Sequence, residues 1–296
     1  MQTSEQCLAC FRKQALYTVG LCTDRRSLQE QILAQVEHYL AALDFSLSPP
    51  ENAVPLYNLI SEQGGCPDPF ARHKEESNAF ALGLRAESRQ KVAGSAEPLL
   101  TALKFAVTGN IIDYGSHQEF NAAEALADCL AREFTVNDFP SFAAALDNAA
   151  TILYLGDNCG ELVFDSILIE VLAGMGKEIT LAVKERAIIN DALVTDAVAC
   201  GLDRLCRVVS NGTGCPGTPL AGCTADFLEI FHAADLIISK GQGNFETLSE
   251  AGGPLFYLLT VKCPVVAGHI SDLLVQDGRG ASSLETGDMV LLHRMQ

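Results

Sequence analysis

Thr151-Ile152-Leu153-Tyr154-Leu155 is a short, β-branched, apolar run. It passes through Gly156-Asp157-Asn158-Cys159-Gly160-Glu161 into Leu162 to Ala173, where apolar residues recur at helical spacing. A buried strand that turns at once into a helix is the building unit of a parallel α/β sheet, and it constrains this chain more than any other segment. Similar runs at 179–183, 206–209, 235–239 and 264–267 alternate with segments long enough for crossover helices. The pattern predicts a mostly parallel sheet over residues 149–296, with Met289-Val290-Leu291-Leu292 as an added edge strand.

Residues 1–148 read differently. Leu28, Ile32, Val36, Leu40 and Leu43 mark one face of an amphipathic helix, and Pro49-Pro50 end that region. Further helical patterns cover Asn78 to Ala93, Leu99 to Val107 and Ala122 to Phe134, the last stopping at a polar break, Thr135-Val136-Asn137-Asp138. The reading is a helical domain, 1–148, followed by an α/β domain, 149–296. Gly and Pro dominate the loop 210–223, which is expected to be the mobile element.

A formal charge of −17 argues against nonspecific nucleic-acid or anionic-membrane binding, which need basic surface. No apolar run approaches the roughly 20 residues of a membrane span, and Met1 to Gln6 lack the features of a signal peptide. The expectation is a soluble, cytoplasmic protein. Its eleven cysteines are odd in number, and Cys129, Cys200, Cys206 and Cys263 sit in apolar segments, so reduced thiols are expected.

The turn after strand 151–155 places the oxygens of Asp157 and Asn158 on the carboxyl edge of the sheet, where open α/β sheets bind ligands. Such oxygens suit a hard divalent cation, and a helix N-terminus suits an anion. A helix cap followed by a glycine turn accounts for the same residues. Asn190-Asp191 follow the next strand. If the two strands are neighbours, Asp191 reaches the same edge; alternatively it caps the helix Ala192 to Ala199. Lys240-Gly241-Gln242-Gly243-Asn244-Phe245-Glu246 follows strand 235–239, and its glycines permit close approach to an anion or simply a tight turn. Lys262 is either a cation at that edge or a solvated flank. Lys74 and Asn78 lie one helical turn apart, and Gly109-Asn110-Ile111-Ile112-Asp113 ends an apolar helix. Cys7-Leu8-Ala9-Cys10 has metal or redox spacing but no second such pair.

In this order, Cys7-x-x-Cys10, Asp68…Lys74…Asn78, Gly109-Asn110-x-x-Asp113, Gly156-Asp157-Asn158-x-Gly160-Glu161, Asn190-Asp191 and Lys240-Gly241-x-Gly243-Asn244-Phe245-Glu246 resemble the DUF89, ARMT1-like or damage-control phosphatase family over almost the whole chain. The cysteine pair resembles its microbial, stand-alone branch. The resemblance implies a helical N-terminal domain on a Rossmann-like α/β domain. It also implies a divalent metal (Mn, Mg, Co or Ni) on Asp157, Asn158 and Asp191, and hydrolysis of small phosphorylated metabolites. Lys74, Asn78, Asn110, Lys240, Gly241, Asn244 and Glu246 are the substrate-binding candidates. Asp157, Asp113 and Lys262 are the catalytic candidates, Lys262 as a phosphate contact. The nucleophile is left open between metal-activated water and the carboxylate of Asp113 or Asp157. Where the family pattern has a proline and a threonine around Asn-Asp, this chain has Ile188-Ile189-Asn190-Asp191-Ala192-Leu193, and Phe70 stands where a tyrosine is common. Two competing readings are methyl transfer from S-adenosylmethionine to a carboxylate and a non-catalytic phosphometabolite-binding module.

Overall fold

Local signals set the first helices of the computed structural model, which describes residues 1–108, 127, 128 and 130–294. They are α1 (Glu5–Cys22), α2 (Arg26–Ala41), α3 (Pro49–Gly64), α4 (Ala71–Ala93) and α5 (Pro98–Thr108). Pro49 and Pro50 end no helix; they open α3. Ser48 and Glu51 form a reciprocal capping box there, and Gly65 closes the helix at φ 64°. Phe11, Ala15, Val19, Ile32, Val36, Leu56, Tyr57, Ile60 and Phe70 of this layer bury one another, together with Ile188 from the second half.

The remaining elements are β1 (Phe134–Asn137), α6 (Phe139–Asn148), β2 (Thr151–Leu155), α7 (Glu161–Gly174), β3 (Glu178–Val183), α8 (Val194–Ala199), β4 (Arg207–Ser210), α9 (Ala225–Ala233), β5 (Leu236–Lys240), α10 (Gly241–Leu248), β6 (Leu255–Thr260), α11 (Pro264–Gln276) and β7 (Met289–His293). Among the described residues, seven strands form one sheet in the order β1-β7-β6-β5-β2-β3-β4, parallel throughout except for the antiparallel pair β6–β7. Alternate residues of β2 serve opposite faces. Ile152 and Tyr154 join the core shared with α5 and α7, and Leu153 and Leu155 the core shared with α9, α10 and α11.

Four expectations require correction. Residues 264–267 form the first turn of α11, with Cys263 at its N-cap and Pro264 at N1; the strand is β6, from 255 to 260. The supposed polar break at 135–138 contains β1, whose alternating burial marks a two-faced strand, inside the stretch expected to be wholly helical. As a result β7 is not an edge strand, because β1 pairs beyond it. The loop 210–223 is held rather than loose. Asn211, Thr213, Cys215 and Thr218 are buried, and Thr218 donates its hydroxyl to Asn244 Oδ1 at 2.8 Å. Most of the helix expected over 122–134 lies outside the described residues, and Phe134 opens β1.

The helical layer meets the sheet at its functional edge. There α3 packs on α10, while α4 and α5 pack on α7. No described helix is long and apolar enough to cross a membrane.

Candidate active site at the carboxyl edge of the sheet

Parallel pairing of β2 with β3 and with β5 brings three loops to one edge. The turn after β2 is locked on both sides. Gly160, at φ 78°, donates its N–H to Asn78 Oδ1 at 2.7 Å, and a Cβ there would press on Ser77. Asn78 in turn donates to Asp196 Oδ1 at 3.1 Å, so it ties α4 to the loops after β2 and β3. On the other side Cys159 N–H donates to the Asn190 carbonyl, and Ala192 N–H to the Asp157 carbonyl, both at 2.9 Å. Asn158 and Asp191 are thereby bridged as in an antiparallel pair. The helix cap considered for Asp191 is made instead by Asp196, whose Oδ2 accepts the Leu193 N–H at 2.9 Å. Ile189, beside this bridge, has φ 47°, an unusual conformation for a β-branched residue.

Asp157, Asn158 and Asp191 therefore converge, each less than a tenth exposed. Burial raises the Asp157 carboxyl well above the usual range, the charges of Glu161 and Asp191 add to it, and Lys262 and Lys184 oppose it. Burial likewise pushes Asp191 up to about 7 against the pull of Lys184, Lys262 and Lys74, and Glu161 adds to the rise. Among the described residues Asp191 Oδ2 is buried without a hydrogen-bond partner. A buried carboxylate oxygen with no hydrogen bond, beside a second carboxylate and an amide, is a donor set suited to a hard divalent cation. The residues present therefore fit such an ion.

The lysines at this edge divide sharply. Lys184, immediately after β3, was not singled out in the sequence. It is 2% exposed, donates to the Gly217 carbonyl at 2.7 Å and to Asn244 Oδ1 at 3.2 Å, and lies 3.7 Å from Asp191 Oδ2. Its signal was present: a lysine directly after an interior strand at the carboxyl edge. Lys240 Nζ is buried and donates to Asp165 Oδ1 at 2.7 Å and Glu161 Oε2 at 3.4 Å. Burial alone would lower the Lys240 ammonium, but those carboxylates raise it overall. Lys74 is also buried, 2.5 Å from Asp68 Oδ2. Lys262 is exposed just past β6, and its charge reaches Asp157, Asp191 and Glu246.

The glycine loop after β5 packs close to the turn after β2. Gly241 has φ 79°, and a Cβ there would overlap the Asp157 carboxylate, so only glycine admits this approach. Asn244 has all its polar capacity occupied. It donates to the Gly156 and Lys240 carbonyls at 3.2 and 2.8 Å, and accepts from Thr218 and Lys184. Glu246 is buried, accepts from Gln242 Nε2 at 2.9 Å, and is pushed up to about 7 by that burial. The structure thus brings together Asp157, Asn158, Asp191, Gly241 and the charge of Lys262. It places Asn78, Lys240 and Asn244 in the supporting bonds around them. Asn110 and Asp113 lie outside the described residues. Phe70 is buried in the helical core. Cys7 is half-buried and Cys10 exposed, and the described cysteines are all free thiols.

The damage-control phosphatase ARMT1-like domain model matches residues 3–275. "Damage-control phosphatase PH1575" of Pyrococcus horikoshii is 34% identical over 283 residues, covering 91% of this chain and 94% of that protein. A "Damage-control phosphatase" of Archaeoglobus fulgidus is 30% identical over 278 residues, covering 91% of this chain and 96% of its own. The crystal structure of a DUF89 family protein from Pyrococcus horikoshii superimposes with a TM-score of 0.88 at 30% identity, covering 100% of both chains. With the motif order, the sheet topology and these likenesses in agreement, the chain belongs to the damage-control phosphatase ARMT1-like family.

Proposed function

We propose that this phosphatase depends on a divalent metal held by Asp157, Asn158 and Asp191, and that it acts on small phosphorylated metabolites. The observation that carries the reading is the convergence of those three side chains, buried, with Asp191 Oδ2 left without a hydrogen-bond partner among the described residues. Charge points the same way. Asp157, Glu161, Asp165 and Asp191 are buried beside Lys184 and Lys240, with Lys262 acting from the rim and Lys74 paired with Asp68, so the carboxylates outnumber the ammoniums that face them when all are ionised. A divalent cation offsets that excess.

The metal, magnesium or manganese by donor hardness and cobalt or nickel by the family resemblance, would supply charge neutralisation to a phosphoryl group. The chain's own residues do the rest. Phosphoryl transfer needs mostly positioning and charge compensation. Lys262, exposed at the rim, is free to meet a phosphate arriving from solvent. Gly241 keeps the loop after β5 against Asp157. Lys184 holds the loop 210–223 through Gly217 and compensates Asp191 from the protein side. Lys240 and Asn244, as proposed substrate contacts, would act through their backbone, because their side chains are committed elsewhere. The cysteine pair supports placing the chain in the microbial, stand-alone branch.

The test is a screen of phosphorylated metabolites against several divalent metals, read as phosphate release, beside incorporation of labelled methyl from S-adenosylmethionine. Metal-dependent phosphate release is expected. Methyl incorporation without it would favour the transferase, and tight phosphometabolite binding without turnover would favour a sensor.

A further inference from the structure

A hydrogen-bonded chain of charged and polar side chains runs from inside the α/β layer to the candidate metal site. Tyr154, on β2, donates its hydroxyl to Asp165 Oδ1 at 2.6 Å. Lys240, at the end of β5, donates to the same oxygen at 2.7 Å and to Glu161 Oε2 at 3.4 Å. Glu161 Oε1 accepts from Asn158 Nδ2 at 2.8 Å, and that nitrogen also lies 3.0 Å from Asp157 Oδ2. Glu161 and Asp165 stand one turn apart on α7, on the face turned toward β2 and β5.

Burying three charged groups costs several kcal/mol each before their mutual attraction is counted, and well-packed apolar residues would fill the same space at least as stably. The chain of bonds does something that apolar packing cannot. It presents a carboxylate to one end of the Asn158 amide. Asn158 Nδ2 is flanked by two acceptors, Glu161 Oε1 and Asp157 Oδ2, so the reversed amide would set its oxygen against two carboxylates. The amide nitrogen is therefore held toward Glu161 and the amide oxygen turned away from it.

We propose that Glu161, anchored by Lys240, Asp165 and Tyr154, is a positioning residue that fixes Asn158 with its amide oxygen, not its nitrogen, available as a ligand. The inference rests on the proposed metal reading and deepens it. Lys240 supplies the counter-charge that lets Glu161 sit buried as an acceptor. Asp165 and Tyr154 fix Lys240 so that it cannot swing out to the substrate side.

The experiment is calorimetric titration of manganese into the metal-stripped full chain, with secondary structure and melting temperature recorded for each variant. Removing a partner that orients a metal ligand typically costs about 10–100-fold in affinity, and E161M, which has no acceptor for the Asn158 amide, is expected to fall in that range while remaining folded. E161Q keeps an acceptor oxygen and is expected to bind at least about tenfold more tightly than E161M. A folded E161M that binds manganese like the parent overturns the inference, as does a folded E161Q that binds no better than E161M. If E161M does not fold, E161Q within about tenfold of the parent supports the inference and a folded E161Q that binds none overturns it. A parent that binds no divalent metal overturns this inference and the metal reading together, whereas a binding parent with an unaffected E161M overturns this inference alone.

Discussion

Lys240 and Lys262 end neighbouring parallel strands, one at the last residue of β5 and one just past β6, yet they live in opposite environments. Lys240 is 1% exposed and spans Asp165 and Glu161; Lys262 is exposed, and its hydrogen bond among the described residues is through the backbone, its N–H donating to Gln242 Oε1 at 2.9 Å. The difference comes from what faces each strand end. Below β5 lies α7, which presents two carboxylates one turn apart, whereas past β6 the chain turns outward into the first turn of α11. Two lysines that look alike in the sequence thus divide into a floor that holds the site together and a rim that can meet a substrate.

The largest expected effect tests the floor. Lys240→Met leaves Asp165 and Glu161 buried without their cation, and losing one partner of such a pair costs about 3–5 kcal/mol. Denaturant unfolding should show that loss. An unchanged midpoint would mean the buried network contributes nothing.

Lys262→Ala tests the rim and should do the reverse. Its melting temperature should stay close to the parent's, while kcat/KM for phosphate release falls by about 10²–10³, the equivalent of roughly 2–4 kcal/mol of transition-state stabilisation. Equal loss of stability in the two lysine variants would erase the distinction between floor and rim.

A smaller, pH-dependent effect belongs to Glu246, whose neighbourhood joins the two regions. Its carboxyl rises from 4.5 to about 7 on folding, chiefly through burial, so the folded state binds this proton more tightly than the unfolded chain does. The stability it contributes is present below the unfolded value and is lost as pH rises through about 7. Glu246→Gln stays neutral and keeps an acceptor for Gln242. Relative to the parent it should therefore gain about 1–3 kcal/mol between pH 5 and pH 8. Denaturation midpoints at both pH values check this, and an equal difference at the two would contradict it.

The smallest effect is expected at the N-terminus. Cys10 lies within electrostatic reach of Glu246 and Cys263, but among the described residues neither Cys7 nor Cys10 hydrogen-bonds to Asp157, Asn158 or Asp191, and the proposed chemistry uses no thiolate. The double serine variant should therefore turn over within about twofold of the parent, because serine keeps the size and neutrality of the thiol and removes no hydrogen bond to the metal ligands. A folded variant with almost no turnover would bring the pair into the mechanism.

The sequence was most legible where structure is local. The run 151–155 and the turn to Glu161 could be read from periodicity and glycine placement, whereas the pairing of β2 with β3, which the sequence left as a condition, comes from the structure. It was least legible where apolar runs carry no period of their own. Val265-Val266-Ala267 looks β-branched and strand-like, but Val266, Ala267, Ile270, Leu273 and Leu274 form one buried helical face behind Pro264. Leu255 to Leu259 is apolar on both faces, as an interior strand must be. Thr135 to Asn137 is short and half exposed, so its polar residues masked β1. Within the site, the carboxylate and amide oxygens were visible as motifs. The burial of Lys240 and the part played by Lys184 were not, because the partners that define them lie 75 and 79 residues away for Lys240 and 33 and 60 for Lys184.

The central claim is that the edge of the sheet holds a divalent cation through Asp157, and Asp157→Asn tests it most directly. The change keeps side-chain size but removes a negative charge from the donor set. Manganese titration of the metal-stripped parent and variant, with phosphate release measured on the same samples, should show a parent that binds the metal and is active only with it. The variant should melt near the parent's temperature, bind the metal far more weakly and release no measurable phosphate. A variant that binds metal and turns over like the parent, or a parent fully active without metal, would contradict the account.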